Sequence, residues 1–552
     1  MPGQVRTAMP SSGVDQVAPV KAGVAVPVVS APAPTPPRVQ PAAPTRPDRA
    51  ETRAASPSWL APLGVLVVGM FMSVLDTSIV NVALPTIQLE LGISATDGQW
   101  VSTAYSLAEG IMVPISGWLG YRYGAKRIYL LCLAGFTLAS VLCGLSGGLG
   151  TLVAFRILQA IPGGVIPVTC MTMLRRMVPP QRLGAAMGLY GLGIIVAPAL
   201  GPTLGGVLVE YVNWRFIFFV NVPVGIFGLI AAVVVLKETA GRRDRPLDFL
   251  GFVTVASGLF ALLLALEEGK DWGWTSYRIL ILFAAAVLLL ALFVVIELER
   301  DLPLLDLRAF ARFQFRLPLI LVSSISLAIF ASNFFIPQFL QGAVRGLSPV
   351  NTGLALIPQA LVLAVLLPLT GVLYDRIGAR WLAVAGLAIC GVGLMMLSKI
   401  NVDITTGELV LGMVVLAAGV GLAMMPIMSN SLAAVPAESA ESASSLNTLT
   451  QRVSQSLGLG IVNAFLISAS AQSLATASGL LGQYASNDPR IVAMQEQGSS
   501  GLLGFYQQVT GIAQTSAYSQ AFQVIGLICF AGALFAVFLR SGKPTQAAAM
   551  AH

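Results

Sequence analysis

Four side chains are out of keeping with their neighbours: Asp76, Glu109, Arg156 and Arg452 each interrupt a long apolar run. A charge at that depth in a bilayer costs roughly 2.5–3.5 kcal/mol on insertion scales, so each is a candidate for function. Acids so placed can take up and release protons, and an arginine can pair with an acid or answer a bound charge. Asn447, Thr450 and Gln451 stand at helical neighbour spacing near Arg452, with Gln455 close in sequence, and can share one polar face. Other chemistry has little to work with. The only histidine is His552, and the five cysteines lie in apolar segments without metal-ligand spacing, so no metal site is expected. No Gly-x-x-x-x-Gly-Lys-[Ser/Thr] loop or nucleophile elbow occurs, which leaves an ion gradient rather than ATP as the energy source and argues against an enzyme.

The elements that must hold these residues are set by composition. Of 552 residues, 56% are hydrophobic and 10% charged, against about 25% charged in soluble domains. The pattern predicts an all-α polytopic membrane protein with fourteen spans. They fall near 58–82, 98–120, 127–147, 151–174, 185–208, 213–236, 247–266, 276–296, 316–340, 352–373, 380–398, 407–432, 442–470 and 518–540. Residues 1–57, rich in Pro and Ala, and 541–552 read as disordered tails, and 471–517 as a solvated loop. With the N-terminus inside, 24 of the 32 Lys and Arg residues lie on the cytoplasmic side and five outside. The positive-inside rule then puts both termini in the cytoplasm. That bias also explains the net charge of +7 without nucleic acid.

A repeat supports this layout. Gly117-Trp-Leu-Gly-Tyr121-Arg122-Tyr-Gly124-Ala-Lys126 and Gly371-Val-Leu-Tyr-Asp375-Arg376-Ile-Gly378-Ala-Arg380 align without gaps at an offset of 254 residues, each in a tight turn after a span. Paired halves with a cavity between them are a common transporter plan.

These turns resemble the signature loop of the major facilitator superfamily, and the likeness runs through nearly all of 58–540. Leu75-Asp76-Thr-Ser-Ile-Val-Asn81-Val-Ala-Leu-Pro85 resembles the first-helix motif of its fourteen-helix drug:proton antiporters. Arg156-Ile-Leu-Gln159 with Gly163-Gly164 resembles the fourth-helix motif. Pro198-Ala-Leu-Gly201-Pro202-Thr-Leu-Gly205 resembles the fifth-helix antiporter motif, and Asn213-Trp214-Arg215 through Asn221 is typical of the branch. EmrB-like and QacA-like exporters are the relatives this suggests, EmrB nearer.

The resemblance implies two six-helix bundles, 58–236 and 316–540, with two extra helices, 247–296, between them. Those two read as apolar spacers without buried charge. It implies proton coupling at Asp76 and Arg156, and Glu109, outside these motifs, joins them as a proton-coupling candidate because it is an acid in mid-span; a static ion pair or a neutral buried Glu would also fit. A substrate cavity is expected at Asn81, Gln159, Asn447, Gln451, Arg452 and Gln455. Loops and hinges are expected at Gly117, Arg122, Gly124, Asp375, Arg376, Gly378, Pro198, Gly201, Pro202 and Gly205. The family's first loop carries an acid that serves in a cytoplasmic charge-relay lock of the outward-facing state; this chain has Tyr121 there and keeps the acid only in the second copy, at Asp375.

The expected activity is proton-coupled export of lipophilic or cationic drugs by alternating access in the cytoplasmic (inner) membrane. The partners are the bilayer, protons and small lipophilic substrates, with no cofactor beyond the proton gradient. A monomer is expected, with an oligomer and a periplasmic adaptor left open. The rivals are export of one native metabolite or lipid, and a non-transporting scaffold or sensor. Retained charges at 76 and 156 argue against the scaffold.

Overall fold

The computed structural model describes residues 59–179, 182–238, 241, 246–341, 345–401, 403–436, 439, 441–458, 460–461, 465 and 499–539. The expected tails, loop residues 471–498 and most of the chain from 459 to 470 lie outside the described residues. In hydrocarbon each backbone group must be satisfied within the chain, and a helix does this locally. The described residues contain helices and turns and no strand. The helices are α1 Leu60–Leu91, α2 Ala95–Tyr123, α3 Ala125–Gly144, α4 Leu149–Met177, α5 Leu183–Tyr211, α6 Phe216–Phe219, α7 Asn221–Val235, α8 Phe249–Trp272 and α9 Tyr277–Glu299. They continue as α10 Phe313–Gln341, α11 Pro349–Ile377, α12 Ala379–Leu397 and α13 Thr406–Ala433, then α14 over 441–458 and α15 Ser499–Ala536.

Among the described residues, twelve helical runs are long and apolar enough to cross a membrane, α6 and α7 counting as one. The 29-residue α2 and the partly described α14 complete the fourteen. Helix α2 is not among the twelve because Glu109 and several small polar residues dilute it. Its length and its packing between α4 and α8 make it a bundle member all the same.

Side chains set the helix starts at one end of the molecule. Ser94, Ser276, Ser348 and Thr405 each accept a hydrogen bond from a first-turn amide of α2, α9, α11 and α13, covering donors the helix cannot. At the other end the two repeat turns use glycine. Gly124 and Gly378 have φ of 91° and 86°, a region nearly closed to other residues, and each joins two spans without a loop.

Helices α1–α7 form one bundle and α10–α15 the other, with α8 and α9 packed on each other and α8 on α2. Small residues let the backbones approach, as membrane interfaces require. The seam between bundles shows this best. A Cβ at Gly188 would strike the Leu367 carbonyl of α11, and one at Gly371 the Gly184 carbonyl of α5.

Two expectations change. The final helix begins at Ser499, so the second part of the 471–517 loop is helical and leads into the last span. Helices α8 and α9 overrun the expected spans by several residues and thereby carry acids. Glu268 is 5% exposed and Glu297 1% exposed, and Glu267 accepts a hydrogen bond from Thr103 of α2. The two helices are thus apolar along most of their length and acidic at their C-terminal ends.

Candidate functional site

Asp76 of α1 and Arg156 of α4 meet inside the first bundle, and both are essentially closed to solvent. Arg156 Nη1 donates to Asp76 Oδ2 at 2.5 Å and to Gln159 Oε1 at 2.7 Å, and its Nε donates to the Val101 carbonyl at 3.2 Å. The guanidinium carbon lies 3.9 Å from the centroid of the Tyr105 ring, a cation–π contact. Asp76 Oδ1 accepts from Asn221 Nδ2 at 2.7 Å and Gln159 Nε2 at 2.9 Å. Gln159 Nε2 also donates to Ser140 Oγ at 2.7 Å. Five helices (α1, α2, α3, α4 and α7) therefore share one network around a carboxylate whose two oxygens are both bonded, by side chains of α4 and α7. Such a network holds a charge in low dielectric only while every member is present.

Glu109, four residues after Tyr105 on α2, faces the other bundle. Arg452 Nη2 of α14 donates to Glu109 Oε1. Glu109 is buried and Arg452 is 28% exposed. Glu109 Oε2 is buried without a hydrogen-bond partner. The pair bridges residues 343 positions apart and joins the two bundles near mid-helix.

The end bearing the glycine turns is closed by two further sets of contacts. Arg176 of α4 pairs with Glu441 at the start of α14, and Arg175 Nη2 donates to the Val435 carbonyl at 2.8 Å. Gly117 lies against the Glu441 backbone and Ser445. The repeat is also functional in its last residue. Lys126 Nζ donates to the carbonyls of Val233 and Leu236 at the end of α7. Arg380 Nε, its counterpart, donates to the Leu539 carbonyl just past α15. Each caps the last helix of its own bundle, where unpaired carbonyls favour a cation.

The other expected residues separate by location. Gln159 belongs to the Asp76 network. Asn81 is exposed and accepts from Ser102 Oγ at 3.1 Å, linking α1 to α2. Asn447 is 1% exposed and donates to Ser431 Oγ and the Ala443 carbonyl, between α13 and α14. Gln451 and Gln455 are half-buried on α14. Gly201 and Gly205 pack on Ser78 and Ile79 of α1, so this small face of α5 serves packing within the first bundle. Pro202 lacks the N–H that would bond the Pro198 carbonyl, and Ser78 Oγ donates to that carbonyl at 3.2 Å instead. Arg122 lies over the Trp118 and Tyr123 rings. Arg376 sits in the last turn of α11; the side chain of Asp375 lies outside the described residues.

Sequence reasoning missed Asn221, Tyr105 and Ser140 as network members. Asn221 carried a signal, a polar residue opening an otherwise apolar helix. Tyr105 and Ser140 are ordinary in membrane helices and carried none.

The Major Facilitator Superfamily model matches residues 66–459. The tetracenomycin C resistance and export protein of Streptomyces glaucescens is 30% identical over 89% of this chain and 93% of its own. The multidrug export protein EmrB of Escherichia coli is 31% identical over 71% of this chain and 77% of its own. Among solved structures, the proton:xylose symporter XylE superimposes with a TM-score of 0.58 at 12% identity, covering 89% of this chain and 98% of that one. The match therefore rests on sequence across most of the chain and on the fold, and the chain belongs to the Major Facilitator Superfamily as a multi-pass membrane transporter.

Proposed function

We propose that this transporter is a proton-coupled exporter of lipophilic, amphipathic or cationic compounds. It works by alternating access in the cytoplasmic membrane, with both termini inside. The observation that carries the reading is the buried Asp76–Arg156 pair with its complete set of donors. A gradient-driven transporter needs a titratable group that the membrane cannot bypass, and Asp76 of α1 is held by groups on α4 and α7, themselves bonded to α2 and α3. Relative movement of those helices changes its surroundings, so one conformation can load it with a proton from outside and another release that proton inside. When substrate and proton oppose each other's binding, the coupling is reciprocal and exchange follows. The names of the two relatives above support export as the direction. Partners are the bilayer, protons and small apolar molecules.

A narrower reading has one observation in its favour. The tetracenomycin exporter matches a larger share of this chain than EmrB does. A dedicated exporter of one native metabolite would fit that.

The test is efflux of a lipophilic cationic dye from a host stripped of its own pumps, with and without an uncoupler. The expected result is efflux that the uncoupler abolishes. Dye efflux indifferent to the uncoupler overturns proton coupling. Efflux of tetracenomycin C with none of the dye replaces the broad reading with the narrow one.

A further inference from the structure

The Glu109–Arg452 pair is not part of the Asp76 network, yet it joins the two bundles where alternating access must part them. Two observations set it apart from a packing contact. Asp76 has both oxygens bonded, whereas Glu109 has one on Arg452 and one, Oε2, buried without a partner. A half-satisfied buried carboxylate is a weak point in a structure unless it has a second state in which that oxygen is used. The pair also lies on the same α2–α14 seam as the closed end. Gly117, two helical turns along α2 from Glu109, touches Glu441 and Ser445 of α14, and Arg176–Glu441 ties the same helix start to α4. Opening that end must pull α2 from α14 and so break the Glu109–Arg452 pair.

We infer that Glu109 is a second proton site, and that its ion pair with Arg452 is a latch which keeps the cytoplasmic end shut until a proton arrives. The proton comes from external water and binds a Glu109 oxygen. The ion pair becomes at most a hydrogen bond between the Arg452 cation and a neutral acid, and the cytoplasmic end can open without leaving an unpaired carboxylate behind, while Arg452, partly exposed, keeps its charge. Once that end is open the proton leaves to the cytoplasm, and reclosure restores the pair. The substrate-free return of the transporter is thereby made to carry a proton, which suppresses empty cycling that would waste the gradient. Among the described residues, the charged and titratable groups around Glu109 are few. Arg452 reaches it from α14, Arg156 and Asp76 act on it from α4 and α1, and Tyr105 lies one turn away on α2 itself. The packed helix α8 carries Glu267, bonded to Thr103 of α2, and Glu268 and Asp271 in its last turns.

This rests on proton-coupled export, but its test needs no substrate. Spin labels at Lys237 and Trp381, exposed positions at the cytoplasmic ends of α7 and α12, report opening by distance in lipid nanodiscs. The background has the five native cysteines replaced. Lowering pH from about 8 to about 5 should shift the closed-to-open ratio on the order of tenfold. Glu109→Gln should be open-biased at every pH and lose that dependence. The charge exchange Glu109→Arg with Arg452→Glu should restore the closed population and the pH dependence, which also guards against a single variant that fails to fold. The latch is overturned if Glu109→Gln opens with pH as the unmodified protein does, or if the exchanged pair behaves like Glu109→Gln. Loss of dye efflux with the pH-driven opening intact would instead count against the exporter reading alone.

Discussion

Asp76→Asn removes the titratable charge and nearly preserves shape, but the network around it makes the change far from silent. Oδ2 accepts from Arg156, and Oδ1 accepts from both Asn221 and Gln159. An amide can accept on one side only. If its oxygen stays with Arg156, its NH2 group faces two other donors; if it turns over, it faces the guanidinium. A buried polar group left unpaired costs about 1–3 kcal/mol. Breaking one partner from a buried ion pair costs about 3–5 kcal/mol, since Arg156 stays charged and enclosed. The single variant should therefore lose several kcal/mol of stability as well as coupling. Asp76→Asn with Arg156→Gln removes both charges and should recover most of the loss, because no uncompensated ion remains. Thermal unfolding in detergent measures the first effect, and pH-gradient-driven uptake into inverted vesicles measures the second. The expectation is a destabilised single variant and a restabilised double variant, neither able to accumulate substrate against its gradient. Gradient-driven uptake by the double variant at the unmodified rate would refute the assignment of Asp76 to proton coupling and leave Glu109 as the coupling acid.

Gly124→Ala and Gly378→Ala should each cost about 1–3 kcal/mol, since both occupy backbone regions reserved for glycine; unchanged thermal midpoints would contradict this. Ser78→Ala leaves the Pro198 carbonyl without its donor and should lower stability by about 1–3 kcal/mol, whereas Ser78→Thr should not if its hydroxyl takes the same place. A reporter fused after Arg540 should be active only in the cytoplasm, and a periplasmic signal would reverse the charge-derived orientation.

How much of this could be read beforehand varied with the range of the interaction. Hydropathy and charge placement are local, so the spans, the helical class and the repeat at 117 and 371 were visible in the chain. Asp76 and Arg156 were visible as well, because charge in an apolar run is conspicuous. Their partner list was not. Asn221 reaches Asp76 across 145 positions and Gln159 across 83, and no spacing rule spans those distances. The same limit hid the pairing of Glu109 with Arg452, which were legible one by one as polar candidates for different roles. Acids at 267, 268 and 297 were overlooked for a local reason. Hydropathy windows end a span where polarity begins, but the helices run on until a cap or turn stops them, Gly273 for α8 and Arg300 for α9.

The repeat also shows where two halves of similar sequence have come to differ. Gly117 and Gly371 do the same work, each admitting a neighbouring backbone from the opposite bundle: Glu441 of α14 in one case, Gly184 of α5 in the other. The α5–α11 contacts at Gly188, Gly191 and Gly371 meet backbone, Leu367, Pro368 and Met425. None of those groups changes charge between pH 5 and 8. The α2–α14 seam, by contrast, carries Glu109–Arg452, with Arg176–Glu441 at its foot. Tyr121 stands at the foot of the same seam, beside Gly117, Glu441 and Ser442 around a cavity of about 310 Å³. Position 121 carries no acid where its counterpart is Asp375, and at this end of the first half Arg176 instead pairs with Glu441, brought by the other bundle. Under the proposed latch, a pH change acts on one seam while leaving the contacts of the other in place, so that proton binding would give a directed opening rather than a general loosening.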